Sequence, residues 1–275
     1  MNKTGSNREQ KRVDEYFDAQ SGFWRDTYQQ RNALGFINRQ RQVTALKYVD
    51  ELSLPKGSRV LEIGCGAGFL AIALAKRGFT VEAVDHAPAM IELTRRNTRQ
   101  AGMANQIRAT IEDVHELTFE DQTFDLIVAL GVINWLHDPR KALVEITRVL
   151  KPHGHAILNI ARAHALLNPL AVPALEFALE RLKLKLEKTV VHNPQSIVRP
   201  RRLMIGELKQ FISEVNLVII KERTLGFGPF EILNHSIFSD QIEVKIQRKL
   251  QQYADEGYPI LRSAGGQYVV LTRKK

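Results

Sequence analysis

The residues best suited to chemistry in this chain are three carboxylates gathered around one glycine-rich turn. The stretch Val60-Leu61-Glu62-Ile63-Gly64-Cys65-Gly66-Ala67-Gly68 ends an aliphatic run in glycines, which permit a tight turn and let a ligand approach the backbone. Its third glycine falls one residue earlier than in the G-x-G-x-x-G dinucleotide fingerprint, and an acid, Glu62, precedes the first by two positions. Such a turn is a weak signal alone, but Glu62 suits a positively charged ligand group better than a pyrophosphate. Asp85 follows Gly66 by nineteen residues, where a carboxylate can take both hydroxyls of a ribose. Asp113 is the third acid. Together they describe a pocket for a cationic nucleoside without a phosphate, with Cys65 expected as a small packed residue and not a nucleophile.

A second constellation is Gly131-Val132-Ile133-Asn134-Trp135-Leu136-His137-Asp138, directly after an apolar run. His137 is the candidate general base, because imidazole titrates near neutrality. It reads alternatively as the residue before a helix whose N-cap is Asp138, ahead of Pro139. Trp135 either stacks on substrate or closes the core. His86 and His115 follow two of the acids and are expected near the nucleoside or in solvent, and His153 in a turn.

The elements that must position these residues follow from hydrophobic periodicity. Strands are predicted at Ser58 to Ile63, Thr80 to Val84, Gln106 to Ile111, Phe124 to Leu130 and Gly154 to Ile160, with helices at Phe69 to Arg77, Pro88 to Ala101 and Asp138 to Leu150. This alternation implies an α/β fold, a doubly wound, mostly parallel sheet with right-handed crossovers. After the fifth strand the alternation pauses over 161–202 and resumes with helix Leu203 to Val215, strand Asn216 to Arg223, helix Asp240 to Ala254 and strand Gly266 to Thr272, which brings the sheet to seven strands. Residues 1–50 read as helices carrying Tyr16, Phe17, Trp24, Tyr28 and Phe36. They are either an amphipathic appendage or a cover over the site, leaving 51–275 as the ligand-binding domain.

Here the sequence resembles the class I S-adenosylmethionine-dependent methyltransferases, particularly those acting on small molecules and lipids, such as quinone-biosynthesis enzymes. The resemblance lies in VLEIGCGAG (60–68), VDHAPAMIE (84–92), IEDVHELTFEDQTFDLIVA (111–129) and DPRKALVEITRVLKPHG (138–154). It is strong over 58–160, topological over 203–272, weak over 1–50 and absent from the insertion. It implies a Rossmann-like methyltransferase fold with S-adenosyl-L-methionine as cofactor. Gly64, Cys65, Gly66 and Gly68 would turn under the methionine moiety, with Glu62 near its ammonium and Asp85, followed by His86, on the ribose. Met90 would lie against the adenine, Asp113 and the Val114 amide would read its edge, and Leu130 would stand beside the reacting centre. Tyr16, Trp24 and Trp135 are the expected substrate residues, and Arg39 or Arg41 could reach the cofactor carboxylate. The implied reaction is in-line methyl transfer to a small-molecule or lipid-like acceptor, with oxygen, carbon and nitrogen acceptors all open.

Composition narrows the partners. The single cysteine among 275 residues excludes an intramolecular disulfide and a cysteine-based zinc cluster, and no metal is expected. The polar N-terminus and the lack of a long apolar run predict a cytoplasmic protein without a membrane span. Net charge is +9. Arg181, Lys183, Lys185, Lys188, Arg199, Arg201, Arg202 and Lys209 stand against only Glu187 and Glu207, a surplus of six, while Leu175, Leu179, Leu182 and Leu186 share one helical face. This segment is either ordinary surface, a peripheral contact with an anionic membrane or acidic substrate, or a nucleic-acid surface. The strand-four ending lacks the signature of amino-methylating DNA enzymes, and Cys65 lacks the Pro-Cys of cytosine-5 enzymes. RNA methylation and cofactor binding without methyl transfer stay open as alternatives, and oligomeric state is not legible.

Overall fold

The computed structural model describes residues 3–27, 30–162, 200–201, 203–228, 230–232 and 235–275. The expected insertion therefore lies outside the described residues except at its ends, as does Tyr28. Three helices, α1 (Lys3–Ala19), α2 (Ser21–Thr27) and α3 (Ala33–Leu52), precede β1 (Arg59–Ile63), α4 (Phe69–Ala75), β2 (Thr80–Asp85), α5 (Pro88–Gln100), β3 (Ile107–Ile111), β4 (Phe124–Ala129), α6 (Pro139–Val149) and β5 (Leu150–Ala161). Then come α7 (Ile205–Glu214), β6 (Leu217–Leu225), the two-residue strands β7 (Glu231–Ile232) and β8 (His235–Ser236), α8 (Asp240–Asp255), α9 (Pro259–Arg262) and β9 (Gln267–Lys274).

Seven strands form one sheet in the order β3-β2-β1-β4-β5-β9-β6. The first five are parallel, and β9 runs antiparallel to both β5 and β6. The expected mostly parallel, doubly wound sheet is therefore present. Strand order reverses between β1 and β4, the position beyond whose carboxyl ends such sheets bind ligands.

Both faces of the sheet are covered, which is why its central strands read as continuous apolar runs. Along β4 the side chains alternate between two cores: Phe124, Ile127 and Ala129 join Leu143, Ile146, Phe211 and Ile212 of α6 and α7, while Leu126 and Val128 join Ala45, Val49, Leu70 and Leu74 of α3 and α4. Strand β5 is longer than expected. Lys151 and Pro152 do not merely close α6 but begin the strand, because Leu150 pairs with Phe124 across a register shift. The hairpin β7–β8, helix α9 and the 3-10 turn Ile133–Trp135 are too short to leave a periodic signal.

Helix α6 begins as anticipated: the Asp138 carboxylate accepts from the Arg140 and Lys141 amides, with Pro139 at the first helical position. Asp138→Ala should lower unfolding stability by about 0.5–2 kcal/mol, read as a reduced denaturant midpoint at unchanged slope. An unchanged midpoint would remove the cap from the account.

Candidate active site

A cavity of about 280 Å³ opens at the carboxyl ends of β1, β2 and β4. Its floor is the glycine turn. The Gly64 and Cys65 amides both donate to the Val84 carbonyl, which pins the turn across β1 and β2. Gly64 has φ +70°, and a Cβ there would lie 2.3 Å from Val132 Cγ2, so this position accepts no side chain. At the end of β4, Gly131 has φ +74° and leaves the space that Arg41 uses, since a Cβ would sit 2.6 Å from Arg41 Nη1.

The acids are held in different states. Glu62 is 4% exposed, and its Oε2 is buried with no hydrogen-bond partner. Burial, and then the charge of Asp85, push its carboxyl up to about 8. Asp85 is also raised by burial, although its two oxygens accept from the Gly66 and Ala87 amides at 3.0 Å each. Two acids thus share one pocket, and among the described residues no ion pair involves either. Such a site fits a ligand carrying an ammonium and a diol. Asp113 behaves oppositely: His115 donates to its Oδ1 from both backbone and Nδ1, at 2.9 and 2.7 Å, and holds it well below the usual carboxylate range.

Glu62, Gly64, Cys65, Gly66, Asp85, His86, Met90, Asp113, Val114, Leu130, Trp24 and Trp135 all line the cavity, whereas Gly68, Tyr16 and His137 do not. Tyr16 stacks on Trp135 from behind, with ring centroids 6.0 Å apart. His137 lies behind His115, ring centroids 3.9 Å apart. Burial lowers its pKa. Its backbone N–H and Nδ1 both face Gln10 Oε1 at 3.2 Å. Cys65 is buried, with Sγ 3.5 Å from Thr94 Oγ1 and a thiol pushed up by burial.

Sequence reasoning missed most of the roof. Val13 and Phe17 of α1 and Leu34, Asn38 and Gln42 of α3 line the cavity, together with Asn159 and Gln267. Arg41 enters it and contacts Asn159 Oδ1 at 3.4 Å, while Arg39 turns away to the Gln30 carbonyl. Asn159 was detectable as an amide within the apolar stretch 156–161, and it also accepts from the Gly131 amide and donates to the Tyr268 carbonyl. Helix α1 is fixed by a polar stripe: Gln10 on His137, Asp14 Oδ2 3.1 Å from His86 Nε2, and Asp18 accepting from the Ala89 amide. Ala87, the N-cap of α5, offers no side chain, so Asp18 supplies the missing acceptor at a helix N-terminus from another element.

Comparison with known proteins agrees with this geometry. A family described as a methyltransferase domain matches residues 61–158. The ubiquinone biosynthesis O-methyltransferase of Alkalilimnicola ehrlichii is 28% identical over 215 residues, 78% of this chain and 81% of the relative. That of Coxiella burnetii is 32% identical over 109 residues, spanning 40% of this chain and less than half, 46%, of the relative. A SAM-dependent methyltransferase structure from Thermotoga maritima superposes with a TM-score of 0.56 at 19% identity, covering 94% of this chain and 98% of that one.

The tie between α1 and β2 should depend on pH. Hydrogen bonding to Asp14 raises His86 to about 9, so its contribution is complete below about 6.5 and is lost as pH rises through about 9. Amide exchange in α1, corrected for intrinsic rates, should therefore lose protection relative to the sheet between pH 7 and 10. Asp14→Asn should flatten that dependence, and identical profiles in the two proteins would refute it.

Proposed function

The chain belongs to the class I S-adenosylmethionine-dependent methyltransferases, and from that premise we propose that its acceptor is a lipid-like or other small molecule methylated on a hydroxyl oxygen. One observation carries the reading. The cavity brings the acids at the strand ends together with Val13, Phe17, Trp24, Leu34 and Trp135, so that one cavity offers carboxylates to a charged donor and apolar surface to an acceptor. The relatives are O-methyltransferases of ubiquinone biosynthesis, which favours oxygen over the carbon and nitrogen alternatives.

S-adenosylmethionine supplies a sulfonium-activated methyl group when bound. Glu62 would meet its ammonium, Asp85 its ribose hydroxyls through the second lone pair of each oxygen, and Met90, Asp113 and the Val114 amide its adenine. Gly64 to Gly68 would carry the methionine moiety, Arg41 would hold its carboxylate, and Leu130 would border the reacting centre. Trp24 and Trp135, with Tyr16 behind, would hold the acceptor. The remaining work is positioning and exclusion of water, and helices α1 to α3 serve it as the cover of 51–275.

For the proton of the acceptor we propose that His137 acts indirectly, because it stands outside the cavity behind His115, whose ring lines it, with ring centroids 3.9 Å apart. Burial keeps it neutral at pH 7, and donation of Nδ1–H to Gln10 leaves the lone pair on Nε2. Among the described residues no helix is long and apolar enough to cross a membrane. We place the enzyme in the cytoplasm, its basic segment 181–209 meeting anionic membrane where a lipid-like acceptor resides.

Two measurements test this reading. Isotopically labelled cofactor incubated with fractionated cell extract should label a methyl ether in the organic-soluble fraction; label confined to RNA would overturn it. Calorimetry should show that Asp85→Ala weakens cofactor binding by about 1.5–3 kcal/mol for each hydrogen bond lost, and unchanged affinity in the folded variant would sink the ribose assignment. Because Glu62 sits near 8 when unpaired, an ammonium beside it must expel its proton. Cofactor binding at pH 7 should then release close to one proton and tighten as pH rises toward 8. Glu62→Gln should release none.

A further inference from the structure

We propose that the face of α3 turned away from the acids carries a second ligand site, which takes the phosphate group of a phosphomonoester. A cavity of about 460 Å³ opens there between α3, β6 and α8. Four guanidiniums line it, those of Arg31, Arg39, Arg223 and Arg248, and among the described residues no Asp or Glu does. No residue lines both this cavity and the one at the strand ends. Helix α3 presents Arg39, Gln40, Val43 and Thr44 to the first and Leu34, Asn38, Arg41 and Gln42 to the second, which are opposite faces at about 3.6 residues per turn. A ligand bound here is therefore not a reactant, and the inference does not rest on the methyl-transfer reading.

The arginines are not equivalent. Arg223 is spent: its Nε and Nη2 donate to Asp255 at 2.9 and 2.5 Å, and its Nη1 donates to the buried Thr44 hydroxyl at 2.8 Å. The other three gather at the N-terminal end of α3. Arg31 lies two residues before the helix begins. Arg39 folds back so that its Nη1 donates to the carbonyl of Gln30, the chain neighbour of Arg31. Arg248 reaches across from α8 to lie over the Phe36 ring, 5.8 Å from its centroid. Neither Arg31 nor Arg248 has a carboxylate partner among the described residues, and α3 itself carries no acid from Ala33 to Val49. Like charges confined to one concavity repel each other, and their summed field draws in an anion. Planar guanidiniums match the oxygens of a carboxylate or a phosphate in pairs. A carboxylate, however, brings one charge to three cations, whereas a phosphomonoester brings about two charges and three strong acceptor oxygens. Phe36, Val43 and Val244 complete the lining, apolar surface for the organic part of the ester.

Calorimetry on the full-length protein tests the site, with phenyl phosphate and benzoate as probes, at about 0.15 M ionic strength to screen diffuse surface attraction. Phenyl phosphate should bind about tenfold or more tightly than benzoate. Arg31→Gln combined with Arg248→Gln removes two exposed cations and should weaken phenyl phosphate about tenfold or more. Arg96→Gln combined with Arg99→Gln, the same charge change at exposed positions of α5, should leave it within about twofold. Both double variants should keep the denaturant midpoint of wild type. If the first pair shifts it, Arg31→Gln alone, outside every helix, carries the comparison. The site falls if wild type does not bind phenyl phosphate, if it binds the two probes alike, or if the Arg31 and Arg248 changes weaken binding no more than the α5 pair does. Flotation with phosphatidylcholine vesicles, with and without phosphatidic acid, whose headgroup is also a phosphomonoester, identifies the source of the ester. Flotation that needs phosphatidic acid and disappears in the Arg31 and Arg248 variant makes the ligand a lipid headgroup. With phenyl phosphate bound as expected, flotation that is absent, or equal in wild type and that variant, makes it a soluble ester.

Discussion

A buried carboxylate, with no ion-pair partner among the described residues, organises this molecule. Glu62 lies inside the end of β1, where the parallel sheet gives its backbone every partner and its Oε2 none. Ionised, it would be an uncompensated charge in a medium of low polarity, which is why its proton stays on toward pH 8. On the proposed reading an incoming ammonium would take the place of that proton. Its neighbours are arranged around that demand: Gly64 removes the side chain that would collide with Val132, and Asp85 is steadied by two amides so that it can carry charge close by.

The cover is held in a different way. Its helix α1 has little apolar character, and its contacts to the domain are Gln10, Asp14 and Asp18 at successive turns of one face, with Val13 and Phe17 between them. Polar ties at a partly exposed rim contribute little each, so the helix is attached by geometry more than by buried area. Segments of that kind open at a fraction of the global unfolding cost. The sheet below, with Leu126, Ile127 and Val128 wholly buried, stands at the other extreme. A rigid floor under a more weakly attached roof is the division of labour that the proposed methyl transfer calls for.

How much of this the residues announce depends on the range of the forces involved. The floor is local: strand, glycine turn and helix follow one another, so Glu62, Gly64 and Asp85 were legible from spacing, and the Asp138 cap from three consecutive residues. The roof is not local. The sequence leaves 1–50 as an appendage or a cover and does not say that Asn38 and Val13 face the cavity, and Arg39 and Arg41 look alike until the helix is docked and Arg41 reaches Asn159. His137 shows the same limit in reverse. Its place after β4 was correctly read, but its ring is turned behind His115 by Gln10, a residue more than a hundred positions away.

That difference in range bears on how acceptor choice is encoded. The matched family region, 61–158, is the contiguous floor, and it contains the acids and the turn. The wall is drawn from α1, α2 and α3, from Pro200 and Gln267, and from Trp135 inside the matched region. Substitutions at separated sites without shared partners act nearly independently. On the proposed reading, substitutions in α1 to α3 would change what the cavity accepts more than they change the acids of β1 and β2, and Trp135, inside the matched region, is where wall and floor meet in the chain.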